Sequence, residues 1–246
     1  MNRRIRVRPA AVAMALIALT VCAGLLSFNG ARGAAGTKCM SIPEWVDILH
    51  VNGLSYVRNS EAAAALPVGR LGPRIGSVKF RMADNACTDY KMKDGDAAFL
   101  PIGTEIHALK GYRPDFRLAA GGKIYEVQSN PRARTIGELM DIEGKVVAVS
   151  LHSGMDGKRI GDFTPEASEA FLKALLPLPL LDDTREMFKH AGSDRAQIAL
   201  LLEDGTTSWI AFYTGNNSFS AGAYGTEELK RLVVGERERI KKAAGM

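Results

Sequence analysis

The chain between about residues 40 and 151 is a series of short apolar runs, and this rhythm constrains its fold more than any other feature of the sequence. β-Branched residues are frequent in these runs, and Gly, Pro, Asn and Asp separate them at intervals of about 8 to 12 residues. Such strands are typical of a small antiparallel barrel or a curled sheet. The predicted strands cover residues 45–51, 54–57, 77–82, 97–100, 104–109, 116–119, 123–128 and 145–151.

Turn and helix signals complete this part of the chain. Asn52-Gly53 favours a type I′ hairpin turn, because both residue types tolerate positive φ. The Ala-rich segment 61–66 is predicted as a helical turn, and Gly72-Pro73 then breaks the chain. Residues 135–140 are predicted as a helix.

After about residue 160, helical spacing replaces the alternation. Thr164 is placed to cap a helix that has Pro165 at its first position and apolar residues at three- and four-residue intervals up to Leu175. Asp183 and Glu186 form a capping-box pattern for a short second helix.

A hairpin and a last helix follow. Asp204-Gly205 predicts a hairpin turn between residues 196–202 and 207–213, and Thr226 begins a helix with acidic residues in its first turn and lysines at its end. The predicted fold class is therefore α+β. A small barrel or curled antiparallel sheet forms a β-rich domain over residues 40–155. A small α+β domain follows over residues 160–246, in the order helix, helix, hairpin, helix, around a two- or three-stranded sheet.

Residues 1–35 have the composition of an export signal. Four arginines between Arg3 and Arg8 precede the uncharged stretch 10–26, and small residues follow at 30–36. A cut after Gly33 or Ala35 satisfies signal peptidase, and retention as an N-terminal anchor stays open. Lipidation at Cys22 is a third option, although Val21 stands where a lipobox has a small residue. We expect a secreted protein, or one anchored at the outer face of the cytoplasmic membrane and touching the membrane only through this segment.

The formal net charge of +5 comes entirely from this segment. Five of the 32 basic residues lie in residues 1–35, which hold no acidic residue, so the remainder carries 27 basic against 27 acidic side chains. Binding to nucleic acid needs clustered Lys and Arg, and a neutral mature chain argues against it.

Cysteine usage agrees with export. Cys39 and Cys87 are the two thiols outside the leader, and such a pair outside the cytosol favours a disulfide. Two unpaired, buried thiols are the alternative interpretation.

A resemblance to a group of known proteins is found in four segments, at residues 76–82, 89–100, 103–106 and 110–119. Their most distinctive motifs are Asp94-Gly95-Asp96 and the Gly-Tyr-x-Pro-x-Phe-Arg sequence at 111–117. Over about residues 45–150 the chain resembles a group of uncharacterised exported proteins and lipoproteins of Gram-positive spore-forming bacteria. The resemblance implies export and a β-rich first domain, and it supplies no catalytic residue.

The sequence contains no complete set of catalytic residues, no phosphate-binding glycine motif and no metal-ligand spacing, so no catalytic residue, cofactor or metal is predicted. If His107 and His152 lie on neighbouring strands, they can meet, with Asp156, in an acid–base or metal site. Asp94-Gly95-Asp96, with Asp84 and Asp89 upstream, lacks the EF-hand pattern and is interpreted as a turn with solvated acids.

The first-choice recognition surface is the turn that contains Tyr112, Arg113, Phe116 and Arg117. Aromatic rings beside arginines bind acidic or sugar-like ligands through stacking and forked hydrogen bonds. In the alternative interpretation, the two rings close one end of the barrel and the arginines pair with acidic side chains.

Two functional hypotheses follow. The first is a non-enzymatic envelope protein that binds a protein, a peptide or a cell-wall component outside the membrane. The second is an extracellular hydrolase or metal-dependent enzyme with a site assembled around His107 and His152.

Overall fold

The computed structural model describes residues 44–59, 66, 68–83, 85–87 and 89–246, and residues Cys39–Met246 cluster into one compact unit. The predicted leader, Cys39 and nearly all of the helical turn at 61–66 lie outside the described residues. Within those limits, no helix is both long and apolar enough to cross a membrane.

The first sheet has eight strands and curls into a half-barrel. The strands are β1 (Ile48–Val51), β2 (Leu54–Arg58), β3 (Leu71–Ser77), β4 (Phe80–Arg81), β5 (Asp96–Ala97), β6 (Glu105–Leu109), β7 (Arg117–Ala120) and β8 (Lys123–Val127). Their spatial order is β3-β6-β7-β8-β2-β1-β5-β4. All neighbours are antiparallel except β4 and β5, which are parallel.

Four helices and a second, antiparallel sheet complete the fold. The helices are α1 (Ile136–Leu139), α2 (Pro165–Leu175), α3 (Arg185–Lys189) and α4 (Glu227–Ala243). The strands are β9 (Val146–His152), β10 (Arg159–Asp162), β11 (Arg195–Leu202), β12 (Thr207–Tyr213), β13 (Ser218–Phe219) and β14 (Ala223–Tyr224), in the order β10-β9-β11-β12-β13-β14. The predicted α+β class and the curled sheet are confirmed.

Both predicted hairpins form. Asn52 and Gly53 have φ values of 51° and 73°, which is the left-handed backbone that a type I′ turn requires. Gly205, between β11 and β12, has a φ of 78°. Turn chemistry at these two points is local, and it fixes the register of the flanking strands.

The strand predicted at residues 77–82 forms only in part, because β4 occupies just Phe80–Arg81 of that span. β3 begins earlier, at Leu71, and runs through Gly72-Pro73, which we expected to break the chain. β3 is the edge strand of its sheet, and its pairing with β6 shifts register on both sides of Arg74. Proline is tolerated there because an edge strand has a side on which no ladder hydrogen bond is needed.

The second sheet is larger than the predicted two or three strands, because it recruits β9 and β10. The predicted strand at 145–151 forms as β9, but it pairs with β10 and β11 and not with the first sheet. The two sheets share one hydrophobic core, to which Tyr56 and Leu118 contribute from the first sheet and Ile198 and Phe212 from the second.

The helix cap predicted at Thr164 forms, and threonines also cap α1 and α4. The hydroxyls of Thr135, Thr164 and Thr226 accept hydrogen bonds from backbone N–H groups at the starts of α1, α2 and α4. The capping box predicted for α3 is wrong. Thr184 occupies the N-cap position without a side-chain hydrogen bond, and Asp183 accepts from the Arg185 N–H at 3.0 Å.

Helix α4 is held against the second sheet at two points. A side chain at Gly161 would meet Ile240 at 2.8 Å, so glycine in β10 permits the close approach of the helix. Arg237 donates to Asp194 at 2.6 and 3.1 Å, and the Thr214 hydroxyl donates to the same carboxylate at 2.6 Å.

From these hydrogen bonds we predict how the free energy of unfolding depends on pH. Those from Arg237 and then Thr214 hold the pKa of Asp194 at about 2, below its ordinary value of 3.8. Because the folded pKa is depressed, the stabilisation is fully present above about pH 4 and is lost as the pH falls towards 2. We expect Asp194→Asn to lower the free energy of unfolding at neutral pH by less than about 1 kcal/mol, because the carboxylate is 60% exposed.

Urea unfolding at neutral pH and at about pH 2 measures this effect. The difference from the wild type should shrink to a small fraction at the lower pH, where Asp194 is about half protonated. Asp182→Asn is the matched control, because that carboxylate is 99% exposed and should contribute nothing at either pH. A difference for Asp194→Asn that persists in acid would contradict the prediction.

Candidate functional site

Arg117, at the start of β7, is completely buried and connects the two sheets through polar contacts. Its Nε donates to Glu126 Oε1 at 2.7 Å, and its Nη2 contacts the same oxygen. Nη1 donates to the Thr206 hydroxyl at 2.7 Å, and Nη2 donates to the Thr207 carbonyl at 3.1 Å. A buried charge is tolerated only when it is paired and hydrogen-bonded, and this guanidinium is both.

The Glu126 carboxylate accepts hydrogen bonds from two further side chains. Asn59 Nδ2 donates to Oε1 at 3.1 Å, and the Ser208 hydroxyl donates to Oε2 at 3.0 Å. Asp204 Oδ2 lies 4.0 Å from Arg117 Nη1. Burial pushes the pKa of Asp204 upwards, but hydrogen bonds from Thr206 hold it below its ordinary value. The hydrogen bonds to Asp204 therefore keep its carboxylate ionised beside the buried arginine.

The structure does bring Tyr112, Arg113, Phe116 and Arg117 together. The guanidinium carbon of Arg117 lies 4.8 Å from the ring centroid of Tyr112 and 5.3 Å from that of Phe116. Burial, followed by the nearby charge of Asp204, raises the pKa of Tyr112 to about 12. Phe116 is 1% exposed and Arg117 is not exposed at all. A ligand from solvent cannot reach either side chain, so the predicted recognition surface is reduced to Tyr112 and Arg113.

Arg113 is exposed but already has partners. Its Nη2 contacts the Glu138 carbonyl, and its Nε lies 3.3 Å from Asp115 Oδ1. Its backbone N–H donates to Asp141 at 2.7 Å. Burial pushes the pKa of Asp141 upwards, but hydrogen bonds from Lys145 and Arg113 hold it below its ordinary value. These contacts fit the alternative interpretation, in which the arginines of the turn pair with acceptors of the protein.

The structure does not bring His107 and His152 together. His107 lies on β6 of the first sheet, with Nδ1 at 3.2 Å from the Gly72 carbonyl and Nε2 at 3.2 Å from Glu105. His152 lies on β9 of the second sheet, and its ring nitrogens contact other groups. The site predicted from the two histidines and Asp156 is therefore not formed.

Both ring nitrogens of His152 are occupied. Nδ1 lies 2.8 Å from the Gly157 carbonyl, and Nε2 lies 3.1 Å from the Ser150 hydroxyl. Asp156 forms an exposed ion pair with Lys158 at 3.1 Å. In the described part of the chain, no three His, Cys, Asp or Glu side chains are grouped to hold a metal ion.

The acidic turn at residues 94–96 has structural contacts. Asp94 accepts from the Gly53 N–H at 2.8 Å, which ties the turn to the β1–β2 hairpin. Asp96 is buried and accepts from the Tyr90 hydroxyl at 2.8 Å and from the Lys93 N–H at 2.7 Å. The interpretation of solvated acids is therefore wrong for Asp96, whose carboxylate organises the turn from within.

The sheets border a cleft of about 440 Å³, and this cleft is the candidate functional site. Small-ligand sites typically have volumes of about 300–1,000 Å³. Side chains from both sheets line it, and most of them are polar. One side of the cleft has Arg58 on β2, Glu126 on β8 and Gln128 directly after β8, and the other has Arg195, Gln197 and Trp209 on the second sheet.

Several polar groups of the cleft have no partner within the protein. Over the described residues, the side chains of Arg195, Gln128 and Gln197 make no hydrogen bond or ion pair. The indole Nε1 of Trp209 is buried and also lacks an acceptor. Of these groups, the side chains of Arg195, Gln128 and Gln197 are available to a ligand, whereas the buried Trp209 Nε1 is not.

Strand pairing explains why these side chains share one face. Gln197 pairs with Ala211 and Ala199 pairs with Trp209, so residues 195, 197, 209 and 211 project from the same side of the second sheet. The rings of His152 and Trp209 pack in a T-shaped pair, with 4.8 Å between their centroids. The intervening residues, among them Ile198 and Phe212, face the hydrophobic core.

Sequence reasoning missed this site, although a signal was present. Arg195 directly precedes the predicted strand 196–202, and Gln197 lies two residues further on, between apolar neighbours. Such alternation indicates one polar face. It does not indicate that the first sheet approaches that face and turns it into a cleft.

No family model, no curated protein and no solved structure matches the chain. The function must therefore be inferred from the residues of the cleft.

Proposed function

We propose that the protein is an exported, non-enzymatic binding module of the cell envelope, and that the cleft between its two sheets takes up a soluble fragment of a cell-wall component. One observation carries this proposal: the cleft of about 440 Å³ displays Arg195, Gln128 and Gln197 without partners in the described part of the fold. Polar side chains that converge on a concave surface and are not satisfied within the protein are characteristic of ligand sites.

The floor of the cleft favours binding by a preformed site. Glu126 lines the cleft and is fixed by Arg117 on β7, by Asn59 directly after β2 and by Ser208 on β12. A site on rigid strands loses little conformational entropy when a ligand binds, which favours affinity.

The sequence supports the proposed location. Residues 1–35 have the pattern of an export signal, and the remaining chain is formally neutral. The predicted disulfide between Cys39 and Cys87 fits an oxidising compartment, and a non-reducing peptide map that links the two cysteines tests it. The resemblance to exported proteins of Gram-positive bacteria agrees with an envelope partner.

The two tryptophans of the chain make the binding proposal measurable. Trp209 lines the cleft, whereas Trp45 packs in a separate cluster around Met82 and Ala98. We therefore expect a Trp45→Phe variant of the full chain, recovered from the envelope of expressing cells, to change its fluorescence saturably when an enzymatic digest of purified cell wall is added. The matched control is Trp209→Phe, whose remaining Trp45 should not respond.

Two results would overturn the proposal. One is recovery of the expressed full chain in the cytosolic fraction, protected from protease added to intact cells. The other is a wall digest that leaves the fluorescence of Trp209 unchanged, or that affects Trp45 equally.

A further inference from the structure

We propose that the cleft selects a saccharide that carries a carboxylate, with Arg195 binding the carboxylate and Trp209, Gln128 and Gln197 binding the sugar. This inference rests on the proposed function and names the chemical class of its ligand.

The cleft is electropositive even though a glutamate lines it. Arg117 compensates Glu126 at 2.7 Å, so the acidic side chain adds little net charge to the cleft. Arg195 has no ion-pair partner among the described residues. Arg58 lies 3.8 Å from Asp47, a carboxylate that Lys123 already binds at 2.9 Å. Two incompletely compensated guanidinium groups thus face the cleft, and guanidinium binds carboxylate in a bidentate manner.

The remaining polar groups of the cleft are uncharged, and they are better suited to bind hydroxyl groups of a ligand than further charged groups. The amides of Gln128 and Gln197 each offer two donors and an acceptor, and a sugar hydroxyl both donates and accepts. Trp209 adds an aromatic surface, which suits a ligand that has apolar C–H faces. Together these groups are complementary to a sugar ring with one acidic substituent.

The surface that forms the cleft argues against a peptide or a folded partner. Peptides commonly bind by adding a strand to a free sheet edge. Gln197 and Trp209 lie instead on β11 and β12, which are interior strands of the second sheet. A cleft of about 440 Å³ has the volume of a small-ligand site. A folded partner instead needs an extended surface of about 800 Å² on each side.

Two components of a cell wall supply this chemistry. One is an amino sugar whose ether-linked lactyl group carries the carboxylate, and the other is a uronic acid of an anionic wall polymer. The test uses the Trp45→Phe protein and three disaccharides of equal size: one with the lactyl amino sugar, one with a uronic acid and one neutral. We expect one acidic disaccharide to bind at least about tenfold more tightly than the neutral one, as is ordinary for a charge-assisted hydrogen bond. The tighter of the two acidic ligands identifies the source.

Replacing Arg195 separates the contribution of its charge to binding from the contribution of the shape of the cleft. We expect Arg195→Gln to reduce the ratio of acidic to neutral affinity to near one while the affinity for the neutral disaccharide is kept. Arg185→Gln is the matched control, because this arginine is 88% exposed on α3 and does not line the cleft. It should leave the ratio unchanged.

Three results would overturn the inference: equal affinity for acidic and neutral disaccharides, a ratio that Arg195→Gln does not alter, or no binding of any disaccharide. In the last case the wall digest decides the wider proposal. If the digest still changes the fluorescence of Trp209, the ligand class is wrong and the proposed function stands. If the digest does not change that fluorescence, both the ligand class and the proposed function are wrong.

Discussion

Replacing Arg117 by methionine should lower the free energy of unfolding by about 3–5 kcal/mol, the usual cost of removing one partner from a buried ion pair. The variant leaves the Glu126 carboxylate and the Thr207 carbonyl without the guanidinium that now serves both. Methionine fills much of the same volume, so most of the loss is electrostatic. Urea unfolding monitored by circular dichroism measures the change.

A double-mutant cycle tests that cause. Glu126→Gln removes the negative charge, so Arg117→Met combined with Glu126→Gln should cost clearly less than the sum of the two single changes. Arg185→Met is the control, since this exposed arginine should change stability by no more than about 0.5 kcal/mol. If the losses of unfolding free energy in the two single variants added up to the loss in the double variant, the ion pair would not couple β7 and β8.

This result bears on how ligand binding should be tested. Arg117 belongs to the turn that the sequence indicates as a recognition surface, and its replacement by alanine would weaken binding in any assay. The structure attributes that loss to a disturbed cleft floor, because the side chain is fully buried. Arg195, which is exposed at the cleft, can be replaced without that ambiguity.

Local chemistry explains the parts of the fold that were predictable. Asn52-Gly53 and the threonine caps act within a few residues, so their patterns can be interpreted without knowledge of the rest of the chain. β3 was mispredicted because Pro73 is acceptable only at a sheet edge, and edge position depends on the pairing of the whole sheet.

The cleft was not predictable for a related reason. It needs β8 and β12 to approach each other, although Glu126 and Ser208 are 82 residues apart in sequence. Arginine, glutamine and tryptophan are ordinary surface residues when considered singly. Arg117 and Arg195 are indistinguishable by residue type, and only the packing of the two sheets buries the first and exposes the second.

Replacing Phe171 by alanine should also cost about 3–5 kcal/mol, the usual effect of removing a buried aromatic ring. Phe171 lies on α2 with no exposed surface, and its ring centroid is 5.7 Å from that of Phe163 and 6.3 Å from that of Phe219. Phe188→Ala on α3 is the matched control. That ring is 41% exposed and should contribute about 1 kcal/mol or less.

The same variant tests whether the chain unfolds as one domain or as the two that its sequence rhythm suggests. The sheets share one core, so the loss at Phe171 should lower the stability of both together. Trp45 reports on the first sheet and Trp209 on the second. In single-tryptophan proteins, Phe171→Ala should therefore move both unfolding midpoints by the same amount. If only the Trp209 transition moved, the two sheets would be independent folding units, and a rigid cleft between them would lose its physical basis.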